Sequence, residues 1–219
     1  MVAERGKLAP NDAAKPPFGI YNSKGRSKSV PSLRNRLHHS LFANRICHMI
    51  LKPQDVVILL KLVTTGDQQW SFSSLASELG MSPSEVHSGI GRAAAARLYD
   101  PQRKLPILKA LLEFLVHGVK YSFPPDKGQF TRGVPTSYAA PPLNALIAQP
   151  NDPPPVWPDP EGKVRGYEFS PLYRSVPKAV ERDNALYELL ALVDAIRDGR
   201  ARERELAVKE LTARLSDHE

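Results

Sequence analysis

The sequence predicts a mainly α chain with a small β-hairpin, a proline-rich arm and C-terminal helices. Three observations predict it. Apolar residues recur at helical spacing in segments closed by Gly66, Gly80 and Gly118. One short stretch, beginning at Val119, alternates apolar and polar residues. Thirteen of the 21 prolines lie between Pro124 and Pro177, where long regular elements are not expected. The 219 residues, 42% hydrophobic and 24% charged, suit one good-sized core with attachments or two small domains.

Charge divides the chain more sharply than hydrophobicity does. Residues 1–48 hold nine Lys/Arg against Glu4 and Asp12, which is the whole formal charge of +7. The remainder balances, about +3 over 49–135 and about −3 over 136–219. The basic pI is therefore weak testimony about the folded part. Residues 1–31 are rich in Lys, Arg, Gly, Pro and Ser, so 1–48 reads as a basic, largely disordered extension of a segment that opens at Met49. Leu33, Leu37, Leu41 and Ile46 suit a short amphipathic helix within it. No apolar run reaches the roughly 18 residues of a membrane span, and no early apolar stretch resembles a secretion signal, so a cytoplasmic location with no membrane partner is expected. The single cysteine, Cys47, excludes an intramolecular disulfide and a multi-cysteine zinc site; a lone Cys beside His48 reads as inert. His38 and His39 cannot face one metal from one helix side, and no metal is expected.

The elements follow in order. Pro53 suits a first helical turn, and Val56, Val57, Leu59, Leu60 and Val63 form an apolar face before Gly66. A short strand is expected around Gln69–Phe72, then a two-turn helix from Ser73 stopped by Gly80. Ser82, Pro83 and Glu85 are N-cap, first helical position and capping-box partner of a helix running to about Leu98. DPQRK breaks it, and Pro106 opens a buried helix closed by Gly118. Residues 119–135 make a hairpin around PPDKG. An arm over 136–177 packs by Tyr138, Trp157, Tyr167, Phe169 and Tyr173. Helices over about 178–197 and 201–215, split by Gly199, end the chain.

Residues 73–93, SSLASELGMSPSEVHSGIGRA, carry the functional signal. Ala76 is small where two helices cross, Gly80 suits the positive φ of the turn, and Leu75, Leu79, Val86 and Ile90 fix the crossing. This spacing resembles the DNA-binding helix-turn-helix. With a helix before it and a basic hairpin after it, residues 52–135 resemble the winged helix-turn-helix transcriptional regulators, most nearly the MarR-like group. The extra helix at 106–117 departs from that pattern, and DPQRK at 100–104 is a rival wing. The resemblance implies a double-stranded DNA partner read in the major groove by the helix from Pro83, through Ser84, His87, Ser88, Gly91 and Arg92. Ser73 and Ser74 would present backbone donors to a phosphate, and Lys120, Lys127 and Arg132 would neutralise the flanking backbone. Gly89 and Gly91, each costing roughly 1 kcal/mol within a helix, fit either close packing or close approach to DNA.

No phosphate-binding glycine loop, nucleophile elbow, zincin helix or paired catalytic carboxylates occur, so a binding protein with no catalytic residue and no cofactor is expected. The boundaries expected are 1–48, a DNA-binding domain at 49–135, an arm at 136–177 and an assembly region at 178–219. Leu186, Leu189, Leu190, Val193 and Ile196, continued by Leu206, Leu211 and Leu215, form a stripe that suits a homodimer or another protein partner. The alternative function is an adaptor or antitoxin-like partner that uses the winged helix and C-terminal helices for protein contact.

Overall fold

Seven apolar side chains in the first helix are almost wholly buried, and that helix organises the core. The computed structural model describes residues 50–148 and 150–216; the basic extension with its expected helix, His38, His39 and Cys47, lies outside them. Pro53 starts α1 (Pro53–Thr65) and Gly66, at φ 59°, ends it. Val56, Val57, Ile58, Leu59, Leu60, Leu62 and Val63 are at most 2% exposed. A helix apolar on most sides must be surrounded. Its neighbours are α2 (Phe72–Leu79), α3 (Pro83–Ala95), the second strand of the hairpin β1 (Tyr99–Asp100) and β2 (Leu105–Pro106), and α8 (Asn184–Asp198).

The turn from α2 to α3 has the expected chemistry. Gly80 is left-handed at φ 61°, ψ 37° and its N–H donates to the Ala76 carbonyl. Ser82 caps α3 and exchanges hydrogen bonds with Glu85. The strand expected at Gln69–Phe72 does not form. Ser71 caps α2 there instead, and its hydroxyl takes the Ser74 N–H at 3.0 Å. Helix α3 ends at Ala95 by a nested pair of backbone bonds, Leu98 N–H to Ala93 O and Arg97 N–H to Ala94 O, with Arg97 left-handed at φ 59°.

Beyond β2 the expectation of a helix closed by Gly118 and a hairpin at 119–135 is overturned. Helix α4 (Leu108–Glu113) continues through a π-helical turn, Phe114–Gly118, into α5 (Val119–Ser122). Leu111, Leu115 and Val119 are each 0% exposed. Their four-residue spacing carries helix past the glycine and overrides the alternation of VKYSF. The hairpin is instead β1 and β2, around DPQRK, with Tyr99 opposite Pro106 and Asp100 opposite Leu105. Asp100 shapes its tip by accepting the Gln102 and Arg103 N–H groups.

Strand β3 (Lys127–Pro135) pairs antiparallel with both β4 (Pro155–Pro158) and β5 (Val164–Phe169), and these two pair parallel with each other, closing a small three-stranded barrel. The proline-rich stretch is thus partly sheet, its strands kept short. Gly133 and Gly166 permit the closure: a Cβ on either would lie 1.9 Å from a carbonyl oxygen, that of Trp157 or Pro154. Short helices α6 (Leu143–Leu146) and α7 (Val176–Ala179) lead to α8 and α9 (Ala201–Ser216).

The apolar stripe expected to face a second subunit faces inward. Leu186, Leu189, Leu190, Val193, Ile196, Leu211 and Leu215 are at most 3% exposed, with Leu206 packed beside them. One continuous core runs from Val56 to Leu215, so the three expected segments from 49 to 219 share their hydrophobic interior. Lys61 of α1 bridges Asp183, the α8 cap, at 2.8 Å, and Ser175 donates to the Leu79 carbonyl beside the α2–α3 turn. No helix among the described residues is long and apolar enough to cross a membrane.

Candidate nucleic-acid interface

One face of α3 is turned to solvent and is made of small polar residues. Ser84, His87, Ser88 and Gly91 are exposed at successive-turn spacing, while Val86 and Ile90 are buried against the core. Ala95 extends the exposed row. Gly89 and Gly91, indistinguishable in sequence, separate here. A Cβ at Gly89 would sit 2.6 Å from Ile58 Cδ1 and 2.9 Å from Asp55 Oδ1, so close packing on α1 requires that glycine. A Cβ at Gly91 meets nothing within 4 Å.

Arg92 does not belong to the exposed face, and its expected role as a groove-reading side chain is corrected. It is 5% exposed, and its guanidinium grips Asp55, itself 0% exposed, through Nε–Oδ2 at 2.8 Å and Nη2–Oδ1 at 2.6 Å. The Asp55 hydrogen bond raises the Arg92 pKa against the opposing effect of burial. This bidentate pair ties α3 to the first turn of α1, where Asp55 also accepts the Lys52 N–H at 2.8 Å.

The other expected contacts divide. Ser73 is exposed in the first turn of α2, where backbone donors lack intrahelical partners. Ser74 is not such a donor, because Ser71 already takes its N–H. Lys120, Lys127 and Arg132 do not share a wing. Lys120 lies on α5 over the Tyr121 ring, 4.7 Å from its centre. Lys127 opens β3 and pairs with Asp198 at 2.5 Å, and Arg132 lies farther along β3.

The cations near α3 are others. Arg97 follows its C-terminus, and Arg103 and Lys104 occupy the tip of the β1–β2 hairpin. All three are exposed and make no ion pair among the described residues. Arg97 and Lys104 hold left-handed backbone, φ 59° and 57°, where glycine is favoured. A cleft of about 650 Å³ separates the tip from the start of α2, between Arg103 and Lys104 on one side and Trp70 and Phe72 on the other. Phe72, 39% exposed, lies edge-on to Trp70 at 5.5 Å and against the His87 ring at 5.2 Å. The DPQRK turn, expected as a rival wing, already contained the signal for Arg103 and Lys104; Arg97, Trp70 and Phe72 had none.

No protein-family model, curated protein or solved structure matches the chain. At the other end of α3, Glu85 accepts Ser82 N–H and Oγ–H, both at 2.8 Å, and the Tyr173 hydroxyl at 2.7 Å. The Ser82 backbone bond, then Tyr173 and the Ser82 hydroxyl, lower its pKa from 4.5 to about 2. A folded-state value below the unfolded one stabilises the fold above about pH 4.5, and that contribution is lost as pH falls toward about 2. Acid unfolding monitored by circular dichroism should therefore show a shallower pH slope over this window in Glu85→Gln. An unchanged slope would place the acid sensitivity elsewhere.

Proposed function

We propose that the chain is a winged helix regulator of transcription that binds duplex DNA sequence-specifically, with α3 in the major groove and the β1–β2 hairpin as its wing. The helix-turn-helix spacing of residues 73–93, part of the MarR-like resemblance of residues 52–135, supports the same reading. One observation carries it: Gly91 is a glycine within a helix, on an open face of short side chains, and no internal contact requires it. Such a glycine costs the helix roughly 1 kcal/mol relative to alanine. Close approach to a base pair or phosphate accounts for retaining it. The unpaired cations Arg97, Arg103 and Lys104 beside this face match a polyanion flanking the groove. Ser84, His87 and Ser88 carry hydrogen-bonding groups suited to base edges or phosphates. The buried C-terminal stripe offers no surface for a partner, so this reading involves no dimer through it.

Selection from a random duplex library with the full chain tests the proposal, because sequence enrichment cannot come from the basic extension's non-specific charge. Gly91→Ala is expected to raise the thermal midpoint slightly yet weaken the selected duplex by about 1–3 kcal/mol. His87→Ala should relax preference at one base pair. Charge reversal at Arg103 and Lys104 should weaken all duplexes alike and flatten the salt dependence. Failure to enrich any sequence, or a Gly91→Ala variant with undiminished affinity, would remove α3 as the reading helix.

A further inference from the structure

The outward face of the β3–β5 pair carries a second, differently built surface. Register sets Phe130 opposite Tyr167 and Arg132 opposite Arg165. Because side chains alternate along a strand, these four share one face. Phe130 and Tyr167 are 47% and 53% exposed, and both arginines are exposed. Between them Gly166 and, on β3, Gly133 are buried. The two rings meet edge-to-face at 5.9 Å, and the Arg165 guanidinium lies 5.2 Å from the centre of Phe130.

Two unfavourable features coincide here. Like charges directly opposite each other on an antiparallel pair repel, and neither Arg132 nor Arg165 has an ion-pair partner among the described residues. The two aromatic rings stay about half in water although the core lies just beneath the sheet. Lys163, exposed just before β5, adds a third cation, against Glu161 as the exposed acid of the same turn. A ligand that offsets both features must bring negative charge to the arginine pair and flat apolar faces to the ring pair, side by side.

We infer that this face binds an unpaired nucleic-acid strand, with a phosphate between Arg132 and Arg165 and adjacent bases stacked on Phe130 and Tyr167. Single strands expose base faces to aromatic side chains, whereas a duplex keeps them inside its own stack. An acidic peptide would satisfy the arginines and leave the rings uncovered. The site is separate from α3, and neither proposal depends on the other.

The test is anisotropy of short fluorescein-labelled oligothymidylate and oligouridylate with the full chain, beside a duplex of equal length. Phe130→Ser with Tyr167→Ser keeps every charge and alters only exposed positions. It is expected to weaken single-strand binding about ten-fold or more and leave duplex binding unchanged. Arg132→Gln with Arg165→Gln should weaken single-strand binding and reduce its salt dependence. Phe130→Trp, which preserves the stacking surface, should retain or tighten binding, and it keeps the proposal testable if the serine variant folds poorly. The sugar preferred by the wild-type chain, deoxyribose or ribose, names the source of the strand. Single-strand affinity indifferent to loss of the rings would overturn the inference and assign such binding to the basic extension. So would a polyglutamate peptide binding through Arg132 and Arg165 where the oligonucleotides do not.

Discussion

Arg92→Ala is expected to destabilise the protein by about 3–5 kcal/mol and to leave sequence preference in any surviving folded fraction intact. The variant strands Asp55, 0% exposed, with the Lys52 N–H as its remaining donor. A buried carboxylate without its guanidinium is far costlier than the absence of both groups. The double replacement Asp55→Leu with Arg92→Met should therefore regain most of the lost stability. Urea unfolding of the two variants measures this directly. Gly89 sharpens the expectation, because the narrow approach of α3 to α1 that it allows brings Asp55 and Arg92 together. A folded, fully stable Arg92→Ala protein that had lost base discrimination would reverse the assignment and return Arg92 to the groove.

Arg92 also shows where sequence reasoning stops. Its spacing from Val86 and Ile90 allows either the solvent face or the border of the buried one, and a charged residue is ordinarily placed in solvent. The deciding partner is 37 residues away, on a helix whose orientation the local pattern does not specify. Local signals were legible for the opposite reason. Gly66, Gly80, Ser82, Pro83 and Glu85 act within one turn of their own position, and the structure uses each as expected. Where two local periods overlapped, the deeper burial prevailed. Val119 belongs both to the alternation of VKYSF and to the four-residue series Leu111, Leu115, Val119, and the core is on the helical side. The C-terminal stripe illustrates a further limit, since an amphipathic helix reads alike whether its cover is a second subunit or its own chain. Here the cover is the adjacent α9 together with α1, which meets α8 only through the complete fold.

That closure rests on one buried carboxylate, and Asp194→Ala is expected to cost at least as much as Arg92→Ala. Asp194, 1% exposed, accepts the Thr136 hydroxyl at 2.8 Å, the Trp157 indole N–H at 2.6 Å and Arg197 Nη1 at 2.7 Å. Burial pushes its pKa up, opposed by Arg197 and then by the two neutral donors. Arg197 extends the network by donating to the Phe123 carbonyl at 2.8 Å and the Ser170 carbonyl at 3.1 Å, with its guanidinium 5.4 Å from the Phe169 ring centre. The segments entering β3, leaving β3, forming β4 and following β5 thus all converge on the last turns of α8. Alanine leaves a buried guanidinium without its counter-charge, worth about 3–5 kcal/mol, and orphans the Trp157 and Thr136 donors, each worth about 1–3 kcal/mol before any relaxation. Against a typical total of about 5–15 kcal/mol, the sheet should detach or the whole chain unfold. Asp194→Asn retains an acceptor for the neutral donors and should lose less than alanine does. Urea unfolding followed by Trp157 fluorescence in a Trp70→Phe background measures the sheet itself. A loss below about 1 kcal/mol in Asp194→Ala would mean that the apolar core alone holds the barrel on α8.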